Sequence, residues 1–157
     1  MNALVLYDSQ YGDTERIAQA IADTLAEFGE ARALRLDPSQ PVDLQGVEVF
    51  IVGCPTQGWR PTQAVQYFLE EVSSEELRNL AVACFDTRFR LPRFMTGSAA
   101  NVMAGKLREK GSSLLVAPES FFVKGTEGPL RDGELERAST WARKIADEVE
   151  AFRPASP

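Results

Sequence analysis

Ala3-Leu4-Val5-Leu6-Tyr7 is an unbroken apolar run, and after a polar loop it is followed by apolar residues at Ile17, Ile21, Leu25 and Phe28. A short continuous run bounded by turn formers suits a strand buried on both faces, and steps of four and three suit a helix with one buried side. The pairing recurs along the chain. Val47 to Val52 and Leu80 to Phe85 are two more apolar runs, each trailed by a helical pattern, the first at about Thr62 to Val72 and the second through Ala99, Met103 and Leu107. Ala31 to Leu36 is weaker and carries two arginines, as an edge strand does. A last strand region, Ser113 to Lys124, is interrupted at Pro118. Leu135, Ala138, Ala142, Ile145, Val149 and Phe152 then form the clearest helical stripe in the chain. Near-continuous apolar strands alternating with helices predict an α/β fold, a doubly wound five-stranded parallel sheet covered by helices on both faces.

The 157 residues suffice for one core. They read as a single domain over 1–152 with a frayed tail at 153–157. Seventeen basic against 23 acidic residues give a net charge of −6, which argues against nucleic-acid or anionic membrane partners. There is no histidine. That removes Ser-His-Asp and Cys-His nucleophiles, imidazole acid–base catalysis and histidine metal sites together. Two cysteines cannot build a disulfide framework, and the N-terminus has neither a basic leader nor a long apolar stretch, so a cytoplasmic location with reduced thiols is expected. Cys54 and Cys84 read as buried core thiols, since neither lies in a Cys-x-x-Cys arrangement.

In doubly wound sheets, ligands sit beyond the carboxyl ends of the strands where the strand order reverses, so the loops after the apolar runs are where function is sought. The first loop has neither the G-x-G-x-x-G of a dinucleotide site nor the Gly-Lys-Ser/Thr of a P-loop. Ser9 and Thr14 flank Gly12 at the mouth of a helix and offer hydroxyls, free N–H groups and a positive dipole end, a monophosphate cradle without a cation. A phosphoryl-accepting receiver of the same topology needs an acidic residue at the end of the third strand, where this chain has Cys54-Pro55.

Three stretches carry a family resemblance: Val5-Leu6-Tyr7-Asp8-Ser9-Gln10-Tyr11-Gly12-Asp13-Thr14-Glu15, Val52-Gly53-Cys54-Pro55-Thr56-Gln57-Gly58-Trp59 and Cys84-Phe85-Asp86-Thr87-Arg88-Phe89. With them the chain resembles the flavodoxin family over nearly its whole length, as a short-chain form. The resemblance implies strand order 2-1-3-4-5 and FMN as cofactor. By it, Ser9, Gln10, Tyr11, Gly12, Asp13 and Thr14 hold the phosphate, while Pro55, Thr56, Gln57, Gly58 and Trp59 on one loop and Asp86, Thr87, Arg88 and Phe89 on another border the isoalloxazine. Trp59 and Phe89 would be aromatic walls for the ring, with Phe94 a weaker third. Gln10-Tyr11 and Asp13 depart from the family's usual loop.

The implied function is electron transfer through a non-covalent flavin, with no covalent chemistry by side chains and no metal. One alternative is an FMN-dependent NAD(P)H:quinone-type oxidoreductase. The other is an interaction domain of this fold without the cofactor. Arg60, Arg88, Arg90 and Arg93 concentrate positive charge at the flavin edge of an acidic chain. They are expected to raise the flavin potentials and to receive a redox partner protein or a small anionic acceptor there. A unit charge about 6 Å from a reduced flavin is worth roughly 3 kcal/mol at an effective dielectric near 20.

Overall fold

The computed structural model describes residues 1–152, the side chain of Phe152 excepted, so the expected fraying of 153–157 and the packing of Phe152 lie outside the described residues. The element order is β1 (Asn2–Tyr7), α1 (Asp13–Leu25), β2 (Glu30–Arg35), β3 (Val49–Pro55), α2 (Gln63–Glu71), α3 (Ser74–Leu77), β4 (Ala81–Phe89), α4 (Arg93–Thr96), α5 (Ala99–Glu109), β5 (Glu119–Val123) and α6 (Glu134–Phe152). The strands form one five-stranded sheet in the order β2-β1-β3-β4-β5, and every neighbouring pair is parallel. This is the doubly wound architecture that the alternating pattern predicts.

The two faces of the sheet carry separate cores. Ala3, Val5, Val49, Ile51, Phe85 and Phe121 point to the side covered by α1 and α6. Leu4, Leu6, Phe50, Val52, Cys54 and Cys84 point to the side covered by α2 and α5. Residues adjacent in sequence thus alternate between cores, which is why the strand runs contain no polar partner residues. β2 and β5 are the edges, and their exposure patterns are mixed accordingly.

Several boundaries differ from the sequence expectation. The first helix ends at Leu25, and Phe28 lies in the following turn, 45% exposed rather than on the buried stripe. The third strand continues through Gly53-Cys54-Pro55. The fourth continues to Phe89, so Asp86, Thr87, Arg88 and Phe89 are strand residues and not loop. The pattern for α6 misses Trp141, which is buried edge-on against Phe85 and Phe121 with ring centroids 6.0 Å apart in both pairs. The short helices α3 and α4 carry too few residues to show a period.

The chain leaves β1 toward β2 on one side and leaves β3 toward β4 on the other. The crevice beyond the carboxyl ends of β1 and β3 is therefore the point of strand reversal.

Candidate flavin site

A cleft of about 340 Å³ opens at that point. Its lining includes Ser9, Gln10, Tyr11, Asp13 and Thr14 from the first loop, Pro55, Thr56, Gln57, Gly58 and Trp59 from the second, and Thr87, Arg88 and Phe89 from the end of β4.

The first loop is a helix entrance whose amides are turned outward. Gly12 precedes α1 with φ 95°, a left-handed conformation that only glycine adopts without strain. Its N–H donates to Ser9 Oγ at 3.1 Å, and the Ser9 N–H donates to Asp8 Oδ1 at 3.0 Å. No acceptor among the described residues meets the N–H groups of Gln10, Tyr11, Asp13, Thr14 or Glu15, which leaves a row of donors at the positive end of the helix. The Thr14 and Thr87 hydroxyls share a buried hydrogen bond of 2.8 Å that ties α1 to β4 beneath the cleft. Arg35, at the end of β2, donates from Nη2 to the Ser9 carbonyl at 2.6 Å. The sequence pattern showed no cation at this loop. The sheet supplies one, because Arg35 stands in register with Tyr7.

Two carboxylates occupy the first turn of α1. Glu15 turns away to accept a 2.7 Å hydrogen bond from the Tyr7 hydroxyl, and burial together with that bond pushes Tyr7 up to about 12. Asp13 lies against the backbone of Gly128, where a Cβ would come within 2.5 Å of Oδ2. Burial raises its pKa, partly opposed by Arg16.

The second loop is a two-residue hairpin. The Gln57 N–H donates to the Arg60 carbonyl at 2.8 Å and the Arg60 N–H to the Gln57 carbonyl at 3.0 Å, with Gly58 at φ 52° and Trp59 at φ 73° between them. A left-handed tryptophan is strained by about 1–3 kcal/mol and persists only where its surroundings hold it. Here the backbone of Gly97 packs directly on Trp59, so close that a Cβ at Gly97 would lie 2.6 Å from the Trp59 Cα. The indole is thereby presented at the cleft, 53% exposed. The Gln57 side chain reaches across to the Gln10 Oε1 at 2.5 Å and links the two loops.

Two of the sequence-derived site residues do not line the cleft. Gly12 acts through its backbone geometry alone. Asp86 is a correction: it is completely buried on the α5 side of the sheet, where Oδ2 accepts from the Ser98 hydroxyl at 2.6 Å and the Ala100 N–H at 3.0 Å. It anchors the start of α5, because a strand alternates faces and Thr87 takes the cleft side. Arg88 is also not the free edge charge that the sequence suggested. Its Nε donates to Ser120 Oγ at 2.9 Å, and its Nη1 donates to the Leu91 carbonyl at 2.8 Å and to Thr96 Oγ1 at 3.1 Å. Phe122 packs under it at 5.1 Å, and its Nε stands 3.9 Å from Asp86 Oδ1. Arg88 thus staples the segment between β4 and α4 to β5. Phe94 lies outside the cleft and is 75% exposed.

Leu91, Met95, Thr96, Val123 and Thr126 line the cleft without having been singled out from the sequence. Val123 ends β5, so the rule of strand carboxyl ends could have found it. Leu91, Met95 and Thr96 follow β4 and Thr126 follows β5, so the same rule points to their segments, but no local pattern singles them out.

Cys54 and Cys84 are fully buried free thiols, and Cys54 donates weakly to Met103 Sδ at 3.9 Å. Burial pushes Cys54 up to about 12 and raises Cys84 as well. No helix among the described residues is long and apolar enough to cross a membrane.

The fold and cleft define a doubly wound α/β protein with unpaired helix-start amides and an aromatic hairpin at its point of strand reversal. Comparison with known proteins narrows the class. The sequence profile described as Flavodoxin matches residues 5–141. "Probable flavodoxin 1" of Bacillus subtilis (strain 168) is 30% identical over 145 residues, spanning 90% of this chain and 87% of the relative. The chain belongs to the flavodoxin family. Among solved structures, flavodoxin 2 of Bacillus cereus superposes with a TM-score of 0.77 at 23% identity, covering 94% of this chain and 99% of that one. Rubredoxin oxygen:oxidoreductase of Desulfovibrio gigas superposes with a TM-score of 0.73 at 19% identity over 96% of this chain, which spans only 36% of that protein. Both likenesses are of fold.

Proposed function

We propose that the protein is an FMN-binding electron carrier. The observation that carries this reading is the loop from Ser9 to Thr14, whose unpaired amides converge at the start of α1 on the same cleft that Trp59 and Phe89 enter. The fit is chemical. Free N–H donors and the Ser9 and Thr14 hydroxyls suit a phosphate, and the two aromatic side chains and the apolar Leu91 and Met95 suit a flat ring. FMN supplies one- and two-electron chemistry when bound, so no side chain needs to act covalently.

The chain's own tasks are then to bind and to tune. Ser9, Gln10, Tyr11, Gly12, Asp13 and Thr14 hold the phosphate end. Pro55, Thr56, Gln57, Gly58, Trp59, Thr87, Arg88 and Phe89 surround the ring end and exclude water from it. Thr56 is oriented for this because its N–H donates to the Thr87 carbonyl at 2.9 Å while its Oγ1 accepts the Ala99 N–H at 3.0 Å. Of the four arginines, Arg88 alone lines the cleft, so it is the one whose charge favours an electron-rich ring most directly.

The test is anaerobic reduction of the FMN-loaded protein by NADPH, followed by flavin absorbance, with and without an added flavoprotein reductase. A carrier bleaches only when the reductase is present. Bleaching by NADPH alone at catalytic rates would make the protein a reductase, and failure to take up FMN would leave an interaction domain.

A further inference from the structure

The surface around the cleft mouth differs from the rest of the molecule. Residues 55–62 and 88–97 contain four arginines and no aspartate, glutamate or lysine, in a chain whose net charge is −6. Arg88 is committed to the fold, which leaves Arg60, Arg90 and Arg93. All three are exposed, and none forms an ion pair within the described residues. Arg90 acts at a distance on Glu134, which is already held by Arg137 and the Phe122 N–H. The two segments form one rim, because Gly97, which donates to the Arg93 carbonyl, packs on Trp59 beside Arg60.

The apolar exposure is concentrated on the same rim. Six of the ten large apolar side chains that stand exposed among the described residues are Tyr11, Trp59, Phe89, Leu91, Phe94 and Met95. A ring in the cleft covers part of the five that line it. It does not cover Phe94, which lines no part of the cleft and sits beside Arg93 on α4. Aromatic residues, methionine and arginine without lysine or acids is the composition of a protein–protein interface centre.

We propose that this rim docks an acidic protein, one that carries a patch of aspartate and glutamate around its own redox centre. This rests on the flavin reading above and names the partner's chemistry. A small anion is the poorer fit: Arg60, Arg90 and Arg93 all lie outside the cleft, and none lines the pocket in which a small ligand would be enclosed. Opposite charge on facing patches steers association and sets orientation, and it is screened by salt.

The test uses the FMN-loaded protein and two probes of opposite charge, a small acidic [2Fe–2S] ferredoxin and a basic cytochrome c. Binding is read by calorimetry and by amide shift changes on the isotope-labelled protein. The proposal expects ferredoxin to bind with shifts confined to residues 55–62 and 88–97, and to weaken at least about tenfold between low and moderate salt. The triple variant Arg60→Glu, Arg90→Glu, Arg93→Glu should weaken ferredoxin at least about tenfold, leave FMN affinity unchanged and improve cytochrome c binding. Phe94→Ala should weaken ferredoxin without changing the salt dependence. A preference of the wild-type rim for cytochrome c, arginine-dependent binding of NADPH without ferredoxin, or the absence of salt-sensitive ferredoxin binding would each overturn it. Repeating the titration on flavin-free protein separates the two readings, because the rim charges exist without the cofactor.

Discussion

At the residue scale the loop from Ser9 to Thr14, the proposed phosphate cradle, takes a cationic contact from outside it, from β2. Arg35 fixes the Ser9 carbonyl, and through that peptide the direction of the amides that follow. Arg35→Gln is therefore expected to weaken FMN about tenfold while leaving riboflavin, which has no phosphate, within about twofold, as read by quenching of flavin fluorescence. Equal losses for both ligands would mean that Arg35 serves the fold and not the cradle. Asp13 works in the opposite sense. Its raised pKa means that the folded chain holds the proton more readily than the unfolded one, so its contribution to stability falls as pH rises through its titration and returns on acidification. Asp13→Asn should flatten that part of the stability–pH curve in denaturant unfolding, and it should tighten FMN at neutral pH by removing a negative charge from the phosphate's surroundings. An unchanged curve and unchanged affinity would show that the carboxylate is fully compensated.

At the scale of elements, the edge strand that closes the cleft is held by a charged latch. Glu134 Oε2 accepts the Phe122 N–H at 2.7 Å, Arg137 donates to both Glu134 oxygens at 3.1 and 2.7 Å and to Glu119 at 3.0 Å, and Arg137 also donates to the Ser120 carbonyl. Burial alone would push Glu134 up, but the Arg137 and Phe122 donors outweigh it and its pKa is lowered. A lowered folded pKa gives stability that is present above the ordinary glutamate range and is lost as pH falls through the folded value. Glu134→Gln should lower the unfolding midpoint at neutral pH and reduce the acid sensitivity of the fold, and hydrogen exchange should quicken first at Phe122. Exchange that stays slow at Phe122 would contradict the latch. The same scale explains which elements the sequence revealed. β1, β3 and α6 were legible because apolar periodicity is an average over many residues. The extension of β4 to Phe89 was not, since Asp86 breaks the apolar run and is tolerated only because Ser98 and Ala100, a dozen residues on, supply its donors. Phe28 stands off the buried stripe because a periodic position persists in sequence after the helix has stopped at Leu25. The cleft was legible in its loops, whose turn formers and hydroxyls are local. It was illegible where tertiary register decides, as with Arg35 beside Tyr7 and with Met95 and Thr96 on a four-residue helix.

Across the whole molecule, two cores lie on either side of one sheet, and one of them encloses both thiols. Cys54 and Cys84 sit in the core under α2 and α5, with Cys54 raised to about 12 by burial, so reagent and thiolate are both excluded. Neither should react with a disulfide reagent at pH 8 in the native protein, and both should react once denaturant unfolds it; rapid native labelling would contradict the packing described. The proposed function instead places the chemistry at the carboxyl edge of the sheet, where the strand order reverses and the unpaired amides and aromatic rings of the cleft lie. The direct measurement of that claim is a titration of the purified apoprotein with FMN and, in parallel, with riboflavin, followed by flavin fluorescence. The account predicts saturable, stoichiometric quenching by FMN and at least about a hundredfold weaker binding of riboflavin, a difference of about 2.7 kcal/mol assigned to the phosphate cradle. Equal affinities would remove the cradle from Ser9 to Thr14, and quenching by neither would remove the flavin.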